Sequence, residues 1–142
     1  MAEIKDLEQC NYFPFDCSDT LAIGWLSKDS QFNTGAVDSD FFEKLKELAE
    51  RPWAPITCTG VHHCELCQFK APAFCKNLFI PWKGKIFIAP AGIVHYIAQH
   101  WYKPPQAFID AVMECPEMNS MLYKKSFLEN GGRRILKSLN VQ

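Results

Sequence analysis

Residues 60–67, GVHHCELC, place a C-x-x-C pair directly after a glycine and two histidines. The segment that leads into it, ITCTGVHH (56–63), is rich in β-branched residues and predicts a strand followed by a turn. Two cysteines in such a turn present two thiolates to one metal ion without strain. This stretch therefore predicts a metal-binding knuckle around which the fold is organised.

A second pair of candidate ligands is separated from Cys67 by 27 residues, in AGIVHYIAQHWY (91–102). This pair is H-x4-H, and histidines spaced in this way near a helix end commonly complete a zinc site. Five steps of about 100° place the two rings roughly 140° apart on a regular helix, so the second histidine must lie where the helix loosens. The Tyr-Lys-Pro-Pro segment that follows favours a helix end there. We predict a structural Zn²⁺ ion bound by Cys64, Cys67, His95 and His100.

Three other interpretations of these residues remain open. His62, His63 or Cys75 could replace one of the four ligands. The cysteines could be buried apolar groups and the histidines ordinary core or surface residues. A redox C-x-x-C should begin a helix, whose dipole lowers the pKa of the first thiol, and QFKAPAF after Cys67 is a poor helix former.

The rest of the chain predicts an α+β domain with a small antiparallel sheet, the zinc knuckle and three to four helices, in a single domain over residues 1–142. Strands are predicted at 21–27, 77–80 and 85–89, with Pro81–Gly84 as a hairpin turn. Helices are predicted at 40–50, 91–102, 106–115 and 119–130. Pro90 is expected in a first helical turn, Gly131–Gly132 as a helix end, and 133–142 as a short strand or fraying tail.

Composition limits the class of protein. The 142 residues are 48% hydrophobic, which argues against intrinsic disorder, and contain no apolar run near the ~20 residues of a membrane span. Because the first residues also lack a secretory signal, we expect a cytoplasmic protein with reduced cysteines. The remaining cysteines are most simply packing residues: Cys10, Cys17, Cys58, Cys75 and Cys115.

Charge is divided along the chain, although the net charge is −1. Residues 1–50 carry eleven acids and four bases, and residues 51–142 carry five acids and eleven bases. The two parts could neutralise each other, or an exposed acidic face could dock a basic protein partner. That acidic face would comprise Asp29, Asp38, Asp40, Glu43, Glu47 and Glu50. Nucleic-acid binding through Lys70, Lys76, Lys83 and Lys85 is less favoured, since a pI near 6.4 shows no basic footprint.

Two function classes follow. Four protein ligands would close a zinc site and leave no position for an activated water, and the sequence contains no catalytic motif. A zinc-stabilised protein-interaction domain is therefore favoured over the alternative, a zinc-dependent hydrolase or thiol redox enzyme. A small acidic-faced domain of this kind would suit an immunity-type role, in which it neutralises a basic partner.

The chain also resembles a family of small uncharacterised bacterial proteins. The resemblance rests on GVHHCELCQF (60–69), on IFIAPAGIVHYIAQHWYKPPQAFIDAV (86–112) and on GWLSKDSQFNTGAVDSDFFEKL (24–45). It implies a shared zinc-knuckle scaffold with Cys64, Cys67, His95 and His100 at the ligand positions, and a supporting or packing role for His62. It implies no activity.

Overall fold

The computed structural model describes residues 4–56 and 61–140, in which short strands alternate with helices. The elements in chain order are β1 (Thr20–Ala22), α1 (Ser39–Glu50), β2 (His62–His63), β3 (Ala73–Phe74), β4 (Asn77–Trp82), β5 (Lys85–Pro90), α2 (Ile93–His100), α3 (Gln106–Glu114), α4 (Met121–Phe127) and α5 (Arg133–Asn140). A π-helical turn, Leu128–Gly132, joins α4 to α5. The predicted α+β class is confirmed.

A three-stranded sheet in the order β1-β5-β4 forms the centre of the fold. β4 and β5 form the predicted antiparallel hairpin, with Trp82 opposite Lys85. β1 instead runs parallel to β5, with Thr20 opposite Ile86. The sheet is therefore mixed and not antiparallel as predicted, because the long connection from β1 to β5 allows a crossover that a tight turn does not.

The hairpin turn is shorter than the predicted Pro81–Gly84. Lys83 (φ 47°) and Gly84 (φ 80°) both adopt left-handed conformations, which is the geometry of a two-residue primed turn. Pro81 lies within β4, an edge strand, where a missing amide N–H is tolerated. Pro90 is also misplaced by the prediction, because it is the last residue of β5 and α2 begins only at Ile93.

The apolar segment 21–27 forms a shorter strand than predicted. β1 ends at Ala22, and Gly24 adopts a φ of 75°, so the chain turns there. A Cβ at Gly24 would lie 3.1 Å from the Ile93 side chain, so this turn packs closely on α2. Beyond the turn, Trp25 is buried and its indole N–H donates to the Ile88 carbonyl at 2.9 Å. The turn thus ties the N-terminal segment to both β5 and α2.

The four predicted helices are confirmed, with ends that shift by up to three residues. Asp38 occupies the N-cap position of α1, although its side chain makes no capping hydrogen bond there. Ser120 caps α4, since its hydroxyl oxygen accepts the Tyr123 N–H at 3.1 Å. The buried face of α1 consists of Phe41, Leu45 and Leu48, as its periodicity indicates.

The prediction for residues 133–142 was wrong, because a further helix follows Gly131–Gly132. The predicted helix end at these glycines is confirmed, since Asn130 and Gly131 (φ 117°) have non-helical backbone conformations that break the helix there. Residues 133–140 form α5, neither a strand nor a fraying tail, and Ile135 is buried in the core. The amphipathic pattern of this segment, with apolar side chains on one face, explains why it packs instead of fraying.

None of the helices within residues 4–56 and 61–140 combines the length and the apolar character that a membrane crossing requires.

Candidate metal centre

The knuckle and helix α2 meet at one edge of the fold. The strand predicted over 56–63 lies partly outside the described residues, and its end forms β2. β2 pairs antiparallel with β3, and the Cys64 N–H donates to the Pro72 carbonyl at 3.0 Å. This ribbon closes the loop that carries both cysteines, so Cys64 and Cys67 face the same side.

Close packing holds this ribbon against the start of α2. The Phe74 ring of β3 lies 5.8 Å from the His95 ring and 6.4 Å from the Tyr96 ring, measured between centroids. A Cβ at Gly92 would lie 2.5 Å from the Phe74 ring, so only glycine allows this approach without a shift. Gly92 and Phe74 were not singled out from the sequence, and the glycine directly before the histidine helix was the available signal.

Helix α2 ends where the histidine spacing requires. His100 is its last residue, and Trp101 adopts a left-handed conformation (φ 59°, ψ 18°) as the C-cap. The two histidine rings lie 5.1 Å apart between centroids, although four residues separate them along the chain. The prediction that His100 lies at a loosened helix end is confirmed.

The structure brings together the four predicted residues, Cys64, Cys67, His95 and His100. Their ligand atoms all lie within 4.8 Å of one another. Cys67 Sγ lies 3.2 Å from His95 Nε2 and 3.4 Å from His100 Nε2, and Cys64 Sγ lies 3.5 Å from His100 Nε2. Zinc bond lengths of about 2.3 Å to sulfur and about 2.05 Å to nitrogen imply S···N separations of about 3.5 Å in a tetrahedron. The donor set and its spacing therefore fit a metal ion.

Partial desolvation of the site shifts the pKa values of two candidate ligands. Burial, together with the neighbouring His100, lowers the pKa of His95. Desolvation and the adjacent Cys64 thiol raise the pKa of Cys67. Burial also raises the pKa of Tyr96 to about 12, with a smaller contribution from Cys64. In the absence of a metal ion, these shifts favour the uncharged forms of the Cys67 thiol and the His95 imidazole.

The other candidate ligands lie outside this group. His63 is exposed and Cys75 is half-buried, and neither belongs to the metal-binding group found in the described residues. The His62 side chain and Cys58 lie outside the described part of the structure. Glu65 is exposed and accepts a hydrogen bond from the Lys28 N–H at 3.4 Å.

Three of the four described cysteines that were predicted to be packing residues lie in the core, whereas Cys75 is half-buried and outside it. Cys10, Cys17 and Cys115 are buried in the core, and all six described cysteines are free thiols. Burial raises the pKa of Cys10 to about 12 and that of Cys115 to about 11.

The six residues of the acidic face are all exposed. Five of them lie on α1 or at its start, and Asp29 lies in the preceding loop. In the described part of the chain, the ion pairs that join the acidic and basic parts involve Asp19, which lies 3.9 Å from Lys85 and 3.5 Å from Arg134. The acidic face is therefore left available to solvent.

The lysines considered for nucleic-acid binding do not form one aromatic-lined row. Lys70 lies in the knuckle, whereas Lys83 and Lys85 lie at the β4–β5 hairpin. Phe79, one of the aromatic residues interleaved with them in sequence, is buried in the core. Lys83 instead lies over the Trp82 ring, 4.4 Å from its centroid.

Comparison with known proteins assigns a family. Residues 2–113 match the family described as Domain of unknown function (DUF7919), and because the match spans most of the chain, the protein belongs to this family. The match includes all four residues of the candidate metal centre, whereas α4 and α5 lie beyond it. No curated protein and no solved structure matches the chain significantly.

Proposed function

We propose that this family member is a zinc-stabilised protein-interaction domain, in which Cys64, Cys67, His95 and His100 hold a structural Zn²⁺ ion. The observation that carries the proposal is the convergence of two thiols and two imidazoles, from two separate segments, within 4.8 Å. Such a group is costly to assemble without an ion, because it packs polar donors together without opposite charges.

Zinc is the metal that best suits this donor set. Thiolate and imidazole ligands in a four-coordinate arrangement are typical of structural zinc sites. The resemblance to small bacterial proteins with a G-x-H-x-C-x-x-C pattern supports the same ligands. When bound, the ion would supply folding free energy by linking the knuckle to α2.

A structural role suits the site better than catalysis. Four side chains complete a tetrahedral coordination shell, whereas catalytic zinc sites keep one position for water. A thiol redox role is also disfavoured, because bends and then β3 follow Cys67, with no helix to stabilise a thiolate. Cys64, which would be the attacking thiol, is buried.

For the interaction role, we propose that the acidic face binds a basic protein partner, as an immunity-type protein would. The support for this is the exposure of all six acidic residues. Opposite charge would chiefly accelerate association, and the complex would weaken as salt is added.

Metal analysis of the purified protein tests the zinc site. We expect one zinc ion per chain in the wild type, its loss in Cys64→Ser, and its retention in the matched control Cys75→Ser. Removal of the ion by a chelator should lower the melting temperature, because the binding energy is part of the folding energy. Substoichiometric zinc in protein expressed with added zinc, or equal loss in both variants, would contradict the proposed site.

A further inference from the structure

Helices α1 and α2 form the two walls of a groove on the surface. A cavity of about 440 Å³ lies between Ser39 and Phe42, at the start of α1, and Ile97, Ala98 and Trp101, at the end of α2. A second cavity of about 550 Å³ lies between residues 43–50 of α1 and residues 91–94 at the start of α2. The start of one helix therefore faces the end of the other, so the helices run antiparallel and the two cavities follow their seam.

The α2 wall of this groove is apolar. Val94, Ile97 and Ala98 lie on one face of α2, because Ile97 and Ala98 follow Val94 by three and four residues, and Trp101 lines the same groove from the C-cap. Trp101 is 65% exposed, which is unusual for so large an apolar side chain. Exposed tryptophans of this kind are frequent anchors in protein interfaces.

The backbone of Trp101 is held in place although its side chain is in solvent. Its carbonyl oxygen accepts the Gly35 N–H at 3.0 Å, and its own N–H donates to the Tyr96 carbonyl. It also directly follows His100 of the metal centre. A large apolar side chain on a fixed backbone loses little entropy when a partner covers it.

The α1 wall is acidic. Glu43, Glu47 and Glu50 line the second cavity, and all three are exposed. Lys46, which also lines this cavity, is occupied locally: its ammonium group lies 3.3 Å from Glu43 and 5.3 Å from the centre of the Phe42 ring. The groove thus combines an apolar wall on α2 with an acidic rim on α1. Such a surface repels nucleic acid and attracts a partner that combines apolar and positively charged side chains.

We infer that this groove binds an amphipathic helix of a protein partner, with apolar residues in the groove and lysine or arginine along its flanks. A helix laid between two helices is a common mode of peptide recognition. The 12 residues of α1 span about 18 Å, which matches roughly three turns of a partner helix. The inference rests on the proposed interaction function and identifies the surface and the partner chemistry.

The candidate metal centre and the groove share helix α2. α2 carries His95 and His100 as well as the groove residues Ile97 and Ala98. A bound ion would therefore fix the position of the apolar wall, and chelation should weaken partner binding as well as stability.

The test uses a synthetic peptide of about 14 residues, roughly four helical turns, with leucine on one face and lysine on the other. Its control has glutamate in place of each lysine. Binding of the fluorescently labelled peptides to the zinc-loaded full chain is measured by anisotropy, at two salt concentrations. We expect the lysine peptide to bind more tightly than the glutamate peptide, and to weaken as salt is added.

Matched variants locate the binding surface. Ala98→Arg introduces bulk and positive charge into the groove, whereas Leu122→Arg introduces the same side chain at an exposed position of α4 that lines neither cavity. We expect binding to weaken about tenfold or more in Ala98→Arg and in Trp101→Ala, and to change less than about twofold in Leu122→Arg. The double variant Glu47→Gln with Glu50→Gln should weaken binding more than Glu8→Gln with Glu129→Gln.

Three results would overturn the inference: no binding of the lysine peptide, equal effects of Ala98→Arg and Leu122→Arg, or equal binding of both peptides. A concentration-dependent dimer that Ala98→Arg disrupts would also overturn it, because a second copy would then occupy the groove. Zinc content and melting temperature, measured for every variant, separate these results from a failure of the proposed zinc domain. Absence of zinc from the purified wild-type protein would instead contradict the proposed function as a zinc-stabilised domain.

Discussion

At the scale of single residues, Trp101 connects the candidate metal centre to the groove, because it directly follows His100 and its side chain lines the groove. Its left-handed backbone ends α2 at His100, which allows two histidines five residues apart to point at one place. The prolines that follow His100 predict the helix end there. The exposure of the Trp101 side chain could not be predicted from periodicity, because a left-handed backbone turns a residue's own side chain away from the line of the preceding helix.

Tyr102 should stabilise the junction between the N-terminal segment and the end of α2. Its hydroxyl donates to Asp6 Oδ2 at 2.6 Å, and Asp6 Oδ1 accepts the Gly24 N–H at 2.9 Å. Tyr102→Phe leaves a carboxylate oxygen without this donor, so we expect a loss of about 1–3 kcal/mol in the free energy of unfolding, measured by urea denaturation. Tyr12→Phe, at a more exposed ring, is the control. Equal stabilities of the two variants would contradict the assigned role of the Tyr102–Asp6 bond.

At the scale of elements, the sequence correctly predicted the helices and the hairpin, whose formation depends on residues close together in the chain. The β4–β5 hairpin and four helices were found because their apolar periodicity and flanking prolines and glycines act locally. The parallel pairing of β1 with β5 was missed, since strand direction depends on how a long connection crosses the fold. The helix end at Gly131 was predicted from the two adjacent glycines, whereas α5 was missed, because its formation depends on the tertiary packing of Ile135.

Substitutions at two glycines allow the destabilisation caused by backbone strain to be distinguished from that caused by steric contact. Gly84 and Gly131 both have positive φ, but a Cβ at Gly84 meets no atom within 4 Å, whereas one at Gly131 lies 2.8 Å from Asp19 Cβ. Gly84→Ala should therefore cost about 1–2 kcal/mol from backbone strain alone. Gly131→Ala should cost more, because contact with Asp19 adds to the strain. Thermal unfolding of both variants checks this, and a smaller loss in Gly131→Ala would show that α5 moves freely relative to Asp19.

The knuckle should depend on the metal more than the sheet does. Of the side chains described in residues 61–76, only Cys64 is buried, so this segment has little core of its own. β4 and β5, in contrast, contain runs of buried residues. Chelation should therefore increase amide hydrogen exchange in residues 61–76 and in α2 well before it does so in β4 and β5. Uniform acceleration across the chain would indicate that the ion supports the whole fold instead.

At the scale of the whole molecule, the metal centre was accessible to sequence reasoning and the groove was not. The four candidate ligands are residue types with few alternative roles, at spacings that zinc sites share. The groove depends on the antiparallel packing of α1 against α2, which are far apart in the chain, and no local pattern encodes their separation. The acidic rim was predicted from charge counts, but its position beside an apolar wall required the tertiary structure.

Buried thiols and phenols should make the whole fold sensitive to alkali. Burial raises the pKa of Cys115 from 9.0 to about 11, that of Cys10 from 9.0 to about 12, and that of Tyr96 from 10.0 to about 12. Above pH 9 the unfolded chain therefore binds fewer protons than the folded chain, and the free energy of unfolding must fall as pH rises. These groups contribute their stability fully below the unfolded pKa values and lose it between about pH 9 and 12.

Urea denaturation between pH 8 and about 11 measures this slope, with Cys115→Ala as the test variant. The two-unit rise at Cys115 corresponds to a loss of about 3 kcal/mol across that range, which the variant should not show. Its absolute stability will be lower because the substitution leaves a cavity, so the slope, and not the midpoint, is the quantity compared. Since Cys115 lies outside the metal-binding group, Cys115→Ala should reduce the alkaline slope in zinc-free Cys64→Ser protein as well as in the wild type. A slope that Cys115→Ala leaves unchanged would mean that this thiol reaches solvent before the fold opens.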